Sequence, residues 1–128
     1  MTLSEHSPLI PSVDDLRFGP LELRPSEGLA LANRSALHLS VREFGLLVEL
    51  AFNEGRIVRR EELYEHVWAL PLRPGDRTID VYVRRLRVKL AAALADWSFI
   101  HTHVGFGYRF APQSALIDRD GEVSVSHL

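Results

Sequence analysis

Between residues 77 and 90, apolar side chains recur at the spacing of an α-helix. Four of them fall on one side of a helical wheel and form a stripe suited to a protein core: Ile79, Val83, Leu86 and Leu90. The opposite side carries a mostly basic set: Arg77, Thr78, Val81, Arg84 and Arg85. Arg87 and Lys89 lie on the flanks. The pattern predicts a helix, termed the basic helix, with one buried face and one cationic face about as wide as the DNA major groove.

Ahead of this helix the apolar pattern has a period of two. Leucines recur in pairs at Leu21/Leu23, Leu29/Leu31 and Leu37/Leu39, and turn-forming residues separate the pairs. The segment from Arg17 to Leu39 is therefore predicted to form three or four short antiparallel strands.

Two further helices are predicted between these strands and the basic helix. Ser40 and Glu43 have the spacing of a capping box, which marks a helix start, and Gly55 suits a left-handed helix end. This first helix is expected to bury a set of apolar residues: Phe44, Leu47, Val48 and Ala51. After a short extended link at Ile57–Val58, a second helix is predicted from about Arg60 to Trp68, with two glutamates favourably placed in its first turn.

The remaining segments are predicted to be loops and a hairpin. Proline and glycine make residues 69–76 a loop, and Asp76 is a suitable cap for the basic helix. Gly105-Phe106-Gly107 is predicted to join the two strands of a hairpin over residues 99–110. We expect one domain at 17–111, with a flexible leader at 1–16 and a flexible acidic tail at 112–128.

The net charge of −2 argues weakly against nucleic-acid binding, but the distribution of charge does not. Residues 77–110 hold six basic residues against Asp80 and Asp96, a local balance of +4. All but one of the basic residues in the chain are arginines, which suit bidentate contacts to guanine and phosphate. A GC-rich coding bias explains the arginine excess equally well, but it does not explain the clustering.

Composition excludes several classes of protein and site. The chain has no cysteine, which rules out disulfides, thiolate metal sites and cysteine nucleophiles. The longest apolar run, residues 90–95, is too short to span a bilayer, and residues 1–12 lack the features of a signal peptide. We therefore expect a cytoplasmic protein that does not contact membranes.

No cofactor, metal or enzymatic activity is expected. His101 and His103 would share a strand face, but no third metal ligand lies near them in sequence. The Gly105-Phe106-Gly107 segment lacks the lysine, the Ser/Thr and the following helix of a phosphate-binding loop. No glycine elbow surrounds a serine, and the carboxylates fall where helix caps and solvent faces need them.

Three segments together carry a family resemblance. Leu37–Trp68, the basic-helix sequence RTIDVYVRRLRVKL and the hairpin sequence THVGFGYRF resemble the output domain of bacterial response regulators of the OmpR/PhoB type. The order of elements and the resemblance both indicate an α+β winged helix-turn-helix, with an N-terminal antiparallel sheet, three helices and a C-terminal β-hairpin wing. The resemblance implies that the basic helix enters the major groove of double-stranded DNA and that the wing, 99–110, lies at the minor groove.

The resemblance also implies which residues meet DNA. Groove and phosphate contacts would come from the basic helix: Arg77, Thr78, Val81, Tyr82, Arg84, Arg85 and Arg87. Further positions lie at the sugar-phosphate backbone and at the tip of the wing: Trp68, Thr102, Val104, Gly105 and Tyr108. Members of the family bind direct repeats as head-to-tail homodimers, and some contact RNA polymerase through the loop at 69–76.

This chain departs from the family pattern at several places. Few residues precede the first predicted strand, so no phosphorylated receiver domain is expected within this sequence, which is either a stand-alone regulator or a fragment. Val104 occupies the position of the minor-groove arginine, and the neighbouring His103 is expected to point the other way. Arg59 replaces the usual serine or threonine cap of the second helix, and the segment 112–128 has no counterpart.

Two alternatives remain open at the level of sequence. The basic face is either a DNA-reading surface or a solvated helix face, although charged surface helices usually alternate in sign. Asp80 interrupts that face and is expected to pair with a cation of the second helix such as Arg60. The alternative function is a winged-helix module for protein–protein interaction, or a fragment of a larger regulator, with weak DNA binding. It is motivated by the negative total charge and by the missing wing arginine.

Overall fold

The computed structural model of the chain describes residues 14–115, in which two antiparallel sheets and three α-helices share one hydrophobic core. Most of the predicted leader (1–13) and most of the predicted tail (116–128) lie outside the described residues. The core is lined by leucines of the first sheet, by the inner faces of the helices, and by Phe99 and Phe110 of the second sheet.

The first sheet contains four strands in chain order: β1 Leu16–Phe18, β2 Leu21–Arg24, β3 Leu29–Ala32 and β4 Ser35–Ala36. The predicted antiparallel strands are confirmed, and their register decides which face of β3 is buried. Leu21 pairs with Ala32 and Leu23 with Ala30 across the β2–β3 ladder. Directly paired residues project from the same face of a sheet. Since Leu21 and Leu23 are fully buried, the two alanines are buried with them and Leu29/Leu31 are only half-buried.

The first helix, α1 Val41–Phe52, begins as the sequence predicts but buries a different face. Its capping box is present: the Glu43 amide donates to Ser40 Oγ at 3.1 Å, and the Ser40 amide donates to Glu43 Oε1 at 2.9 Å. Leu47 and Ala51 are buried as expected. The other fully buried positions are Leu46 and Leu50, whereas the predicted Phe44 and Val48 are only partly buried. The buried face of α1 is therefore rotated about the helix axis relative to the predicted face, because the helix packs against both α2 and α3.

Helix α2 spans Arg60–Trp68, within the predicted bounds, and Arg59 at its N-cap makes no side-chain capping bond. Helix α3, the basic helix, spans Thr78–Ala93 and buries the predicted apolar stripe. Asp76 stabilises the start of α3, although the N-cap residue is Arg77 and not Asp76. Asp76 Oδ1 accepts hydrogen bonds from the Thr78 amide at 2.8 Å and from the Thr78 hydroxyl at 2.6 Å. The aspartate therefore fixes the first turn from one residue further out than predicted.

The wing is a sheet of three strands rather than the hairpin alone. Its strands are β5 Ile57–Val58, β6 Trp97–His103 and β7 Gly107–Ser114, in the order β5-β7-β6. The segment predicted as a simple extended link is thus β5, which pairs with β7 opposite Tyr108 and Arg109. The strands also begin earlier and end later than the predicted range 99–110, and β7 runs past residue 111 into the predicted tail.

Gly107, the first residue of β7, allows β5 to pack closely against it. Its φ is +148°, and a Cβ at this position would lie 2.1 Å from the carbonyl oxygen of Val58. Only glycine allows the two backbones to approach in this way.

The sheet of four strands, three helices and terminal wing together form the predicted winged helix-turn-helix. Within residues 14–115 no helix is long and apolar enough to cross a membrane.

Candidate nucleic-acid interface

The exposed face of α3 follows directly from its buried one. Ile79, Val83 and Leu86 are fully inaccessible to solvent, so the residues on the other side of the helix project outward. Arg84 and Arg85 are exposed, and Val81, one helical turn before them, is 43% exposed. The structure therefore places the central part of the predicted cationic face in solvent.

Aromatic rings support this face from behind. The guanidinium of Arg85 lies 5.0 Å from the ring centroid of Tyr82, and Tyr82 meets Trp68 edge-on at 5.1 Å. Trp68 stacks on Tyr64 at 5.0 Å, and the guanidinium of Arg42 lies 5.3 Å from the Trp68 ring. Trp68 is partly buried in this cluster, so it is both a packing residue and a neighbour of the cationic face. A guanidinium resting on a ring loses less freedom when it contacts DNA.

Asp80 connects the start of α3 to two other elements. The predicted pair with Arg60 is confirmed, at 3.4 Å between Arg60 Nη1 and Asp80 Oδ2. Arg77 Nε also lies 3.0 Å from this carboxylate, and the hydroxyl of Tyr108 in the wing donates to Asp80 Oδ1. Burial and this hydrogen bond raise the pKa of Tyr108 to about 12. The carboxylate holds α2, α3 and the wing together, while Arg77, with a side chain 72% exposed, remains open to solvent.

Arg87 lies on the side of α3 that faces the wing. Its Nε and Nη2 donate to the Ile100 carbonyl oxygen at 3.1 and 3.0 Å, and Nη2 donates to Thr102 Oγ1 at 2.6 Å. The guanidinium also lies 5.7 Å from the Tyr108 ring. These bonds give Arg87 a structural role in joining α3 to β6, which the sequence pattern did not indicate beyond its place on the flank.

Lys89 has a comparable position on the opposite flank of α3. Its Nζ donates to Glu43 Oε1 at 2.7 Å and to the His38 carbonyl oxygen at 2.9 Å. Burial disfavours the charged form of Glu43, but the hydrogen bonds from Lys89 and Ser40 outweigh it and lower the pKa of this carboxyl. The glutamate that caps α1 is thus also the anchor for α3.

The wing tip presents apolar rather than charged side chains. Val104 and Phe106 are 87% and 72% exposed, and Thr102 and Gly105 are exposed beside them. His103 Nε2 accepts a hydrogen bond from Arg109 Nε at 3.0 Å, and His103 lines the same groove as Val104 and Gly105.

A groove of about 480 Å³ separates the wing tip from the starts of α2 and α3. Its walls contain the predicted site residues Arg77, Thr102, Val104, Gly105 and Tyr108 together with other side chains. Arg59 and Arg60 of the second helix also line this groove. The structure therefore brings these five predicted residues to one groove, although the Tyr108 hydroxyl is occupied by its bond to Asp80.

Two members of this surface were not found from the sequence. Arg42 lies at the start of α1, and only the packing of α1 against α2 brings its guanidinium onto Trp68. Phe106 was treated only as part of a turn, although an apolar residue between two glycines of a hairpin tip has few neighbours to cover it. His101 is hydrogen-bonded to the Ala111 carbonyl oxygen at 2.8 Å, and the described residues contain no group of three metal-ligating side chains.

The comparison with protein families gives one match. The sequence model of the family described as "Transcriptional regulatory protein, C terminal" matches residues 34–110 of this chain, more than half of its length.

Curated relatives of known sequence are similar over about three quarters of the chain. The alkaline phosphatase synthesis transcriptional regulatory protein SphR of Synechococcus elongatus is 37% identical over 94 residues, which cover 73% of this chain and 37% of SphR. The phosphate regulon transcriptional regulatory protein PhoB of Shigella flexneri is 36% identical over 96 residues, covering 75% of this chain and 42% of PhoB. The chain thus spans less than half the length of these relatives.

Two solved DNA-binding domains match over almost their whole length. The DNA-binding domain of CpxR from E. coli superposes with a TM-score of 0.70 at 33% identity, covering 76% of this chain and 95% of that domain. The RstA DNA-binding domain of Klebsiella pneumoniae, solved in complex with the RstA box, superposes with a TM-score of 0.69 at 31% identity, covering 76% and 96%.

Proposed function

Because the chain belongs to the OmpR/PhoB-type family of winged-helix transcriptional regulator domains, we propose that it binds double-stranded DNA sequence-specifically and regulates transcription. The observation that carries this proposal is the pair Arg84 and Arg85, exposed at the centre of α3 opposite a fully buried stripe. A rigid helix that presents arginines on one face is suited to reading guanine edges in the major groove.

In this proposal the residues of α3 make different kinds of contact with DNA. Arg84 and Arg85 read bases, and Val81 packs against a thymine methyl group or a neighbouring sugar. Phosphates at the groove edge are contacted by Arg77, together with Trp68 and Thr102. The ring of Tyr82 supports Arg85 from behind. Thr78 contributes through its methyl group, since its amide and its hydroxyl both donate to Asp76.

Arg87 and Tyr108 act differently in this proposal. Their hydrogen bonds to Ile100, Thr102 and Asp80 hold the wing against α3, so they set the angle between the two DNA-contacting elements. Truncating either would therefore reduce DNA binding through a change in wing position rather than through a lost base contact.

The first experiment selects bound fragments from genomic DNA with the whole chain and with the double variant Arg84→Ala/Arg85→Ala. We expect the chain to recover two direct repeats about 10–11 base pairs apart, and the double variant to lose them. The double variant Arg17→Ala/Arg34→Ala is the matched control, because it removes the same charge from exposed positions in β1 and in the turn between β3 and β4. Equal enrichment by all three proteins, or none by the wild type, would refute sequence-specific binding.

The arrangement on DNA and the partners are finer proposals. We propose that two copies bind the repeats head to tail as a homodimer on DNA, and that the protein acts in the cytoplasm, where bacterial DNA is found. Contact with RNA polymerase would be made by the loop 69–76, where Leu70 is 58% exposed. Leu70 lines a groove of about 460 Å³ with Tyr64, Pro71, Arg73 and Asp76.

A further inference from the structure

Arg42, in the first turn of α1, is an exposed arginine whose guanidinium is held by two contacts. Its Nη1 donates to the Val67 carbonyl oxygen at 2.5 Å, and its guanidinium lies 5.3 Å from the ring centroid of Trp68. Among residues 14–115 no carboxylate pairs with Arg42, and its Nε and Nη2 have no acceptor. The charge of this arginine is therefore fixed in place but not neutralised within the described part of the chain.

The ring on which Arg42 rests is itself held firmly. Tyr64 stacks on Trp68 at 5.0 Å with an interplanar angle of 4°, and Tyr82 meets the indole edge-on at 5.1 Å and 80°. Trp68 is partly buried among these neighbours. The indole at the end of α2 and the guanidinium from α1 therefore form one rigid unit.

This unit continues into the basic helix. Arg85 lies on the ring of Tyr82, Tyr82 contacts Trp68, and Trp68 contacts Arg42. Two aromatic rings thus separate the guanidinium of Arg85, at the centre of α3, from that of Arg42. When α3 lies in the major groove, a cation displaced from its centre in this way is nearer to the sugar-phosphate backbone at the edge of the groove than to the bases.

The chemistry of Arg42 suits a phosphate at that edge. Its unused donors, Nε and Nη2, form the side of a guanidinium that can bind two phosphate oxygens at once. Successive phosphates of one strand rise by about 3.4 Å along the DNA axis. A guanidinium 5.3 Å from the Trp68 ring is therefore close enough to reach the phosphate at Trp68 or the next one along the strand.

We propose that Arg42 is a phosphate-binding residue, which extends the DNA contact from α3 and the end of α2 to the start of α1. This inference rests on the proposed DNA binding of α3. The Val67 carbonyl and the Trp68 ring orient the guanidinium before DNA arrives, so little side-chain freedom is lost on binding.

The first test uses fluorescence anisotropy with a duplex that carries a single half-site from the selected repeats, titrated at several salt concentrations. Arg42→Gln removes the charge and keeps a donor for the Val67 carbonyl. It should weaken binding about tenfold and make the log–log salt slope shallower by about 0.9, because one phosphate contact is lost. Arg42→Lys keeps the charge and should keep the wild-type slope.

The matched control is Arg34→Gln, which removes the same charge from an exposed position in the turn between β3 and β4. It should bind with the affinity and the salt slope of the wild type. The thermal unfolding midpoints of the Arg42 variants should stay close to that of the wild type, since Arg42 is exposed.

The second test locates the phosphate. A set of half-site duplexes, each with one phosphate replaced by an uncharged methylphosphonate, is titrated with the wild type and with Arg42→Gln. We expect one position at which the replacement weakens binding of the wild type but has little effect on Arg42→Gln. Trp68→Phe should be weakened least by replacement at the same phosphate or at its neighbour, because it lacks the indole N–H.

Each outcome bears on one proposal or the other. If Arg42→Gln binds within about twofold of Arg34→Gln, Arg42 does not contact DNA. If Arg42→Gln is weaker but keeps the wild-type slope, and no phosphate distinguishes the two proteins, Arg42 only supports Trp68 and the inference is again wrong. If the wild type binds no selected duplex, the proposed function itself fails. Binding that is lost in the Arg84/Arg85 variant but retained in Arg42→Gln would refute the inference about Arg42 alone.

Discussion

At the scale of single residues, the carboxylate of Asp80 orients the cations around it. Asp80 receives Arg60, Arg77 and the Tyr108 hydroxyl, which come from two helices and the wing. Its place in the sequence, between the core stripe and the basic face, indicated pairing with a cation. The two additional partners depend on how the wing packs, which no local pattern encodes.

Glu43 provides a pH-dependent prediction at this scale. Its pKa lies below the ordinary value of 4.5, because the bonds from Lys89 and Ser40 outweigh burial. A lowered pKa in the folded state stabilises the fold above about pH 4.5, and this contribution is lost as the pH falls through the folded-state pKa. Glu43→Gln removes the titration, so the stability advantage of the wild type should shrink as the solution is acidified.

Urea unfolding of both proteins between about pH 7 and pH 3 measures this difference. Glu54→Gln serves as the control substitution, at an exposed position after α1. A difference between wild type and Glu43→Gln that stays the same across the whole range would contradict the prediction.

At the scale of elements, α3 depends on rings supplied by α2. Tyr82 is the only residue of α3 that joins the aromatic cluster, and it carries the guanidinium of Arg85 on its face. The sequence indicated which face of α3 is basic. It did not show that Arg85 rests on a ring, because that contact depends on the χ angles of two neighbouring side chains and on Trp68 behind them.

Substitution of Tyr82 separates two roles. If the ring supports Arg85, Tyr82→Phe should bind DNA within about twofold of the wild type, whereas Tyr82→Leu should bind about fivefold more weakly because the cation–π support, worth about 1 kcal/mol, is lost. Anisotropy titration of both variants decides the matter. Phe52→Ala, an exposed apolar residue at the end of α1, is the control. If Tyr82→Phe proves as weak as Tyr82→Leu, the hydroxyl rather than the ring makes the contact.

At the scale of the whole molecule, the net charge of −2 and the cationic face oppose each other. The charges that matter most for DNA are those that come close to it. Arg84 and Arg85 are exposed on α3, and the groove between the wing and the starts of α2 and α3 is lined by Arg59, Arg60 and Arg77. A negative total weakens binding over long distances, but salt screens this term more strongly than the close contacts. The distribution therefore outweighs the total at physiological ionic strength.

Salt dependence tests this balance. With about five phosphates neutralised, the logarithm of the association constant should fall with the logarithm of salt concentration at a slope of about −4 to −5. Titration of the selected duplex across a range of potassium chloride concentrations measures the slope. A slope near zero, with weak binding to every duplex, would instead favour the protein-interaction module as the function.

The sequence also shows where pattern reasoning fails in the core. The leucine period did not indicate which residues of β3 face the core, and the register with β2 buries Ala30 and Ala32 rather than Leu29/Leu31. In α1 the prediction missed Leu46 and Leu50, because that helix contacts two other helices and a strand and its apolar stripe is wide. Both cases concern which of two similar faces is buried in the core, and this depends on partners that are distant in the sequence.

The sequence by itself determined the order of the elements, the capping box of α1, the buried and basic faces of α3, and the family. These follow from local rules: the periods of helix and strand, the backbone requirements of helix ends, and residue spacings within short segments. Only the tertiary structure decided that Ile57–Val58 is a wing strand, that Arg87 and Lys89 bind α3 to its neighbours, and that Arg42 joins the aromatic cluster. Each of these contacts joins residues that are far apart in the chain, so its geometry is fixed only when the helices and sheets pack together.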